Sequence, residues 1–203
     1  MEQAVRGDSL RHVGLNEQDG GMNAPVDYSD LTRLYGMDGV VLYPIQDPSP
    51  VDAATAQFLG SVGLPHDRFF SSRAGLSGSE RDPYELAPLF ALGNRYCPEE
   101  SRGWHVLGYL PAALVTLALP SGEVYIFQES VRDYQLAHRD VAALVHCLTE
   151  FRKLEDVYNS PEPDVEDLVD RFREAVNSFD PTPLTDPDSE WNRMLQEVLE
   201  EMW

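Results

Sequence analysis

A chain of 203 residues, 42% hydrophobic and 10% aromatic, is long enough for one substantial core and too apolar to be globally disordered. Its outlier is charge: 35 acidic residues against 15 basic ones give a net −20 and a pI of about 4.4. Such a field repels nucleic acid and anionic membranes and draws basic partners, although acidic surfaces also serve plain solubility. No charged segment leads into an apolar run near the start, and no run of about 18 apolar residues occurs; both argue against classical secretion and membrane spanning. Cys97 and Cys147 lie far apart without disulfide or metal spacing. They read as reduced thiols of a cytoplasmic protein, with Cys147 buried on a helix.

Residues 1–25 are polar, broken by Gly7, Gly14, Gly20 and Gly21, and read as a flexible leader. Structure is expected from Asp27. Ser29 is placed to cap a short helix carrying Leu31, Leu34 and Tyr35, with Gly36 ending it. Val40 to Tyr43 predicts a strand stopped by Pro44. Ser49-Pro50-Val51-Asp52 predicts a helix start, with Phe58, Leu59 and Val62 as the apolar stripe and Gly63 as its left-handed end. Phe69-Phe70 opens a buried segment, and Ser71 to Glu80 reads as a loop. Leu86 to Leu92 is apolar but too short to decide between strand and helix, and a second polar loop follows from Asn94 to Gly103.

The strongest architectural signal runs from Leu114 to Leu154. Val115, Leu117 and Leu119 lead to a turn at Pro120-Ser121-Gly122-Glu123, and Val124-Tyr125-Ile126-Phe127 continues as a second strand inside the sheet. A preceding strand from Trp104 to Tyr109 completes a three-stranded meander. Val141, Leu144, Val145, Leu148, Phe151 and Leu154 then recur at helical spacing, an amphipathic helix expected to cover one face of that sheet.

From Glu150 to Trp203 there are 16 acidic and five basic residues, a net −11. Two one-sided helices are predicted here. Asp164 caps the first, with Asp167 completing a capping-box-like start and Val165, Leu168, Val169, Phe172, Val176 and Phe179 as its stripe. Asp180-Pro181 ends it. Asp188 or Ser189 caps the second, whose stripe is Trp191, Met194, Leu195, Val198 and Met202. Both are expected to dock on the body of the domain.

Chemistry-bearing patterns are sparse. His66-Asp67 and His138-Arg139-Asp140 bring a base beside an acid, but neither supplies a further ligand, and loop polarity or helix capping explains them more simply. Cys97, Cys147, His105 and His146 form no zinc pattern. Gly75-Leu76-Ser77-Gly78-Ser79 approaches a nucleophile elbow but ends in serine. Asp164, Glu166, Asp167 and Asp170 lack the spacing and glycine of a calcium loop and read as a solvated helix face.

Several segments together resemble the SUKH superfamily of bacterial immunity proteins, in particular its fourth subfamily. Leu34-Tyr35-Gly36 leading into Gly39 to Pro44 is similar to the family's opening helix and strand. Thr55 to Pro65, with Phe58-Leu59 and Val62-Gly63-Leu64-Pro65, resembles its next element. Ser121-Gly122-Glu123-Val124-Tyr125 resembles its hairpin turn, Val141 to Leu148 its following helix, and Asp180-Pro181 with Trp191 its tail. The likeness spans roughly Asp27 to Trp203 and rests on order and spacing. One departure is His138-Arg139-Asp140, where members often carry Asn-Ser, so that Asp140 or His138 would cap the helix less effectively.

The resemblance implies an α+β fold: a single domain over 26–203 with a mainly antiparallel sheet packed by helices, plus the two acidic C-terminal helices. It implies no catalysis, no cofactor and no metal, and neutralisation of a cognate protein toxin by direct binding. Toxins of that kind are often nucleases or nucleic-acid deaminases, whose basic surfaces a −20 field would attract while nucleic acid itself is repelled. The expected contact residues are the aromatics Tyr84, Trp104 and Tyr134 and the acidic set Asp164, Glu166, Asp167 and Asp170. The competing role is an intracellular scaffold of the same fold that binds a host protein. A hydrolase built on His66 or His138 is the remote third.

Overall fold

The structure, a computed structural model, describes residues 25–43, 51–73, 85–119, 121–128 and 133–203. The leader, the expected cap at Ser49-Pro50, the Gly75 to Ser79 motif and Tyr84 lie outside these residues. The architecture is α+β. Its main sheet has five antiparallel strands in sequence order: β3 (Ser71–Ser72), β4 (His105–Leu110), β5 (Ala113–Leu117), β6 (Val124–Gln128) and β7 (Gln135–His138). A small ladder pairs β1 (Val40–Val41) with β2 (Leu64–Pro65).

The predicted meander is present, with β5 at the sheet centre and Val115 opposite Ile126. Strand alternation separates two cores. Leu107, Val115, Leu117, Val124 and Ile126 point to one face, while Val106, Leu114 and Phe127 point to the other. The register shifts between Val106 and Gly108, beside Phe70. A side chain at Gly108 would come within 2.6 Å of the Phe70 ring and the Ser71 carbonyl, so the bulge and the glycine together let edge strand β3 pair here. That strand falls within the expected serine-rich loop, a correction: two polar residues give no alternation to read.

On the first face lies α4 (Val141–Tyr158), capped by Asp140, whose carboxylate accepts from the Ala143 N–H at 2.8 Å. The unusual His-Arg-Asp start is therefore a sound cap. The predicted stripe is buried throughout, but only the second half of the helix is amphipathic. Every residue from Val141 to Thr149 is buried, because the sheet, α1 (Tyr28–Tyr35), α2 (Ala53–Ser61) and α5 (Val165–Phe179) pack around it. Tyr35 locks α1 to it by donating to the Leu148 carbonyl at 2.9 Å.

Two helix starts are corrected by cap geometry. Asp27, not Ser29, caps α1, in a reciprocal box with Asp30. Asp52 caps α2 by accepting from the Thr55 N–H, so the helix begins at Ala53 rather than at Pro50. Gly63, at φ 83°, ends that segment as predicted, and a Cβ there would meet the Val41 carbonyl oxygen at 2.5 Å. The predicted strand to Tyr43 is only two residues long, since Val41 already faces Leu64, the first residue of β2, and Gly63 before it is left-handed at the end of α2.

Leu86 to Leu92 resolves as helix α3 (Leu86–Leu92), covering the second sheet face with Leu86 and Phe90. Beyond α5 come α6 (Thr182–Thr185), which the sequence did not announce, and α7 (Glu190–Leu199), capped by Ser189. Both long C-terminal helices dock on α4 and the first core, placing Phe69, Phe151, Phe172 and Trp191 in one aromatic array whose tightest pair, Phe69–Phe151, stacks at 4.3 Å. Met202 is the exception to the predicted stripe. It is 65% exposed, because α7 stops at Leu199 and Glu201 turns left-handed at φ 54°. Trp203 packs inward instead, edge-on to Phe151 at 5.1 Å and to Phe69 at 5.5 Å.

Candidate partner-binding surface

The α5 stripe fixes which way the helix's charges point. With Leu168, Val169, Phe172 and Val176 buried against α4 and α7, Asp164, Glu166, Asp167 and Asp170 are exposed on the outer side. Asp164 is also the cap, accepting from the Asp167 N–H at 3.1 Å. The capping box is only half formed, since the Asp167 carboxylate pairs with Arg171 at 2.5 Å. Arg173 lies 3.8 Å from Asp170. From Asp164 to Glu174 the helix therefore carries five carboxylates against two guanidinium groups, a negative face with internal pairing.

The aromatic candidates lie across the sheet from this face. Trp104 is 8% exposed and belongs to the second core, stacked on Tyr125 at 4.4 Å and in edge contact with Tyr134 at 4.9 Å. Tyr134 is half-buried and donates to Glu100 Oε1 at 2.7 Å. That hydrogen bond to a carboxylate pushes its phenol up to about 12, so it stays a neutral donor. Trp104 and Tyr134 are thus brought together, but on the opposite side of the sheet from α5.

The helix-capping reading of the His-Arg-Asp start holds for Asp140 and is corrected for His138, which does not cap. It is fully buried at the end of β7, where Nε2 accepts from the Trp191 indole N–H at 3.1 Å. Its proton therefore sits on Nδ1, 3.7 Å from Asp180 Oδ2. Burial lowers the His138 pKa more than Asp180 raises it, so the imidazole is neutral. Burial alone would raise Asp180, but the His138 imidazole 3.7 Å away and hydrogen bonds from the Thr182 side chain and N–H and from the Arg139 N–H hold it well below the usual carboxylate range.

A sign follows. A histidine with a depressed native pKa gives its full stability above its ordinary value of 6.5, and that contribution shrinks as pH falls below it, because the unfolded chain takes up the proton first. The Tm advantage of the native chain over His138→Gln should be largest above pH 7 and narrow steadily toward pH 5. A gap independent of pH in a melting series would contradict the neutral assignment.

The other chemistry-bearing candidates fold into structure. Asp67 Oδ1 accepts from the Phe69 and Phe70 N–H groups at 2.8 Å each, a side-chain turn leading into the core. Both cysteines are free, and burial pushes the Cys147 thiol well up, which makes it inert. Among the described residues no group of three His, Cys, Asp or Glu side chains is arranged to hold a metal. No described helix is long and apolar enough to cross a membrane.

One feature escaped sequence reasoning: a cleft lined by Arg68, Phe69, Pro111, Glu155, Asn159, Met202 and Trp203. Glu155 lies among the charged residues between Glu150 and Asp156 of α4. It is nevertheless 1% exposed. Trp203 turns inward onto the Phe69 and Phe151 rings and donates its indole N–H to Glu155, an approach invisible to periodicity.

No curated protein and no solved structure matches the chain. A family model does: SUKH-4 immunity protein, over residues 26–197. Those residues include the caps, both sheets, α5 and nearly all of α7. The chain belongs to the SUKH-4 immunity protein family, and that membership implies a toxin-neutralising role with a cognate toxin as partner.

Proposed function

We propose that residues 26–203 form a non-catalytic domain that acts in the cytoplasm by binding a basic toxin, a nuclease or a nucleic-acid deaminase, and covering its phosphate-binding surface. The observation that carries this reading is the outward-facing carboxylate set of α5, Asp164, Glu166, Asp167 and Asp170, on a chain of net −20. A toxin that grips phosphates offers lysine and arginine to such a face, and the long-range field speeds the encounter. The same field disfavours binding of nucleic acid to the domain itself. Tyr134, with Trp104 behind it, forms a second, aromatic patch. Because it lies across the sheet, a compact toxin domain would engage it only by wrapping the edge at β7. Free cysteines accord with a reducing compartment.

The test is kinetic. Replacing Asp164, Glu166, Asp167 and Asp170 with their amides removes four charges and keeps the cap, since asparagine caps as well as aspartate. The association rate with the cognate toxin should fall about tenfold or more at low ionic strength, with a shallower salt dependence and a smaller change in dissociation. An association rate equal to that of the native chain would exclude the α5 face. Co-expression that fails to protect a toxin-producing cell would exclude the immunity role.

A further inference from the structure

Glu155 is a buried carboxylate that forms one wall of an open cleft. Its Oε1 accepts from Arg68 Nη2 at 3.1 Å and from the Trp203 indole N–H at 3.2 Å. Its Oε2 has no hydrogen bond among the described residues and lies 3.7 Å from Arg152 Nη1. A buried carboxylate left short of donors is costly, so this one has unused capacity for a cation. We infer that the cleft is a socket for an arginine side chain of the basic partner, with Arg68 as the chain's own removable plug. This rests on the toxin-binding role proposed above and adds the chemistry of one contact.

The plug is loosely held. Arg68 is 68% exposed and makes one hydrogen bond to Glu155, not the two-pronged pairing of which a guanidinium is capable. An incoming arginine can take its place without stranding the carboxylate. Phe69, Pro111, Met202 and Trp203 give the cleft flat apolar walls, against which a guanidinium plane stacks better than an ammonium. Its volume, about 360 Å3, is ample for one long side chain.

The surroundings favour a cation as well. Asp156, Glu200 and Glu201 are exposed beside lining residues in the chain, and Arg152 is already engaged by Asp156 at 3.0 Å. Asp164, the first acidic residue of the α5 face, is five residues beyond Asn159 and hence within about 19 Å of it. The cleft thus lies within the footprint of a basic partner domain held at α5.

The full chain, 15N-labelled, is titrated with N-acetyl-arginine amide and with N-acetyl-citrulline amide, which has the same shape without the charge. The readout is the Trp203 indole N–H signal, identified by its loss in Trp203→Phe. The arginine probe should shift it saturably, and the citrulline probe at least tenfold more weakly. Glu155→Gln should erase that difference, and Arg68→Gln should raise arginine affinity several-fold by removing the plug. No saturable shift, an equal response to citrulline, or an Arg68→Gln affinity equal to or below that of the native chain would overturn the socket. If Glu155→Gln does not melt cooperatively, Arg68→Gln alone decides, since that side chain is exposed. Protection of cells by a chain that ignores the arginine probe would overturn the socket and leave the immunity role standing. Binding of the probe without protection would support the socket and count against the role.

Discussion

Leu148→Asp is expected to leave a chain with no cooperative melting transition. Leu148 is 1% exposed in α4, and the residues beside it, Val145, Cys147 and Phe151, are equally buried. An aspartate there would either ionise without a partner or be protonated at a large cost, a penalty of several kcal/mol added to the lost burial of a leucine. Domains of this kind are stable by about 5–15 kcal/mol, so one such substitution removes most or all of it. Val124→Asp, on the strand facing that helix, should do the same. Circular dichroism and thermal melting decide the matter: a variant with native spectrum and Tm would mean that the centre of the core is elsewhere.

Trp191→Ala should be the most damaging truncation. The indole is within 6.1 Å, centroid to centroid, of Phe69, Phe151, Phe172 and His138, and its N–H is the donor to the buried His138 Nε2. Emptying the site costs about 3–5 kcal/mol for the cavity. Leaving the imidazole nitrogen without a donor costs about 1–3 kcal/mol more. Trp191→Phe separates the two in part, since it keeps one ring in the site and loses the donor with only a fraction of the volume; a loss of at least about 1–3 kcal/mol, smaller than that of the alanine variant, is expected from it. Urea unfolding gives both numbers, and an alanine variant within about 1 kcal/mol of the native chain would show that the array relaxes to fill the hole.

Legibility of the sequence followed the length and exclusivity of each pattern. The stripes from Val141 to Leu154 and from Leu168 to Val176 declared their helices because each repeats through several turns. The β5–β6 hairpin was legible from its turn and its β-branched strands. Strands β3 and β7 were not, because two and four residues cannot establish alternation and both are recruited by neighbours: β3 by the Gly108 bulge, β7 by pairing with β6. Caps were ambiguous wherever two acceptors stood close together, as at Asp27 and Ser29. The acidic face of α5 could be read in advance since exposed charge and a buried stripe occupy one period. Glu155 could not, because its partners Arg68 and Trp203 lie 87 and 48 residues away. His138 was hidden likewise, its partners Asp180 and Trp191 being brought in by the last helices.

The distribution of those long-range ties dictates an order of assembly. The meander from His105 to His138 closes through neighbours in sequence and can form early. The layer holding the proposed contact face cannot: Tyr35 reaches across 113 residues to Leu148, and Phe69 meets its ring partners only at Phe151, Trp191 and Trp203. During synthesis the sheet would wait, one face incompletely covered, until α5, α7 and Trp203 had emerged to pack on α4. Competence to bind therefore arrives late and all at once, and a nascent chain would offer a toxin nothing to hold.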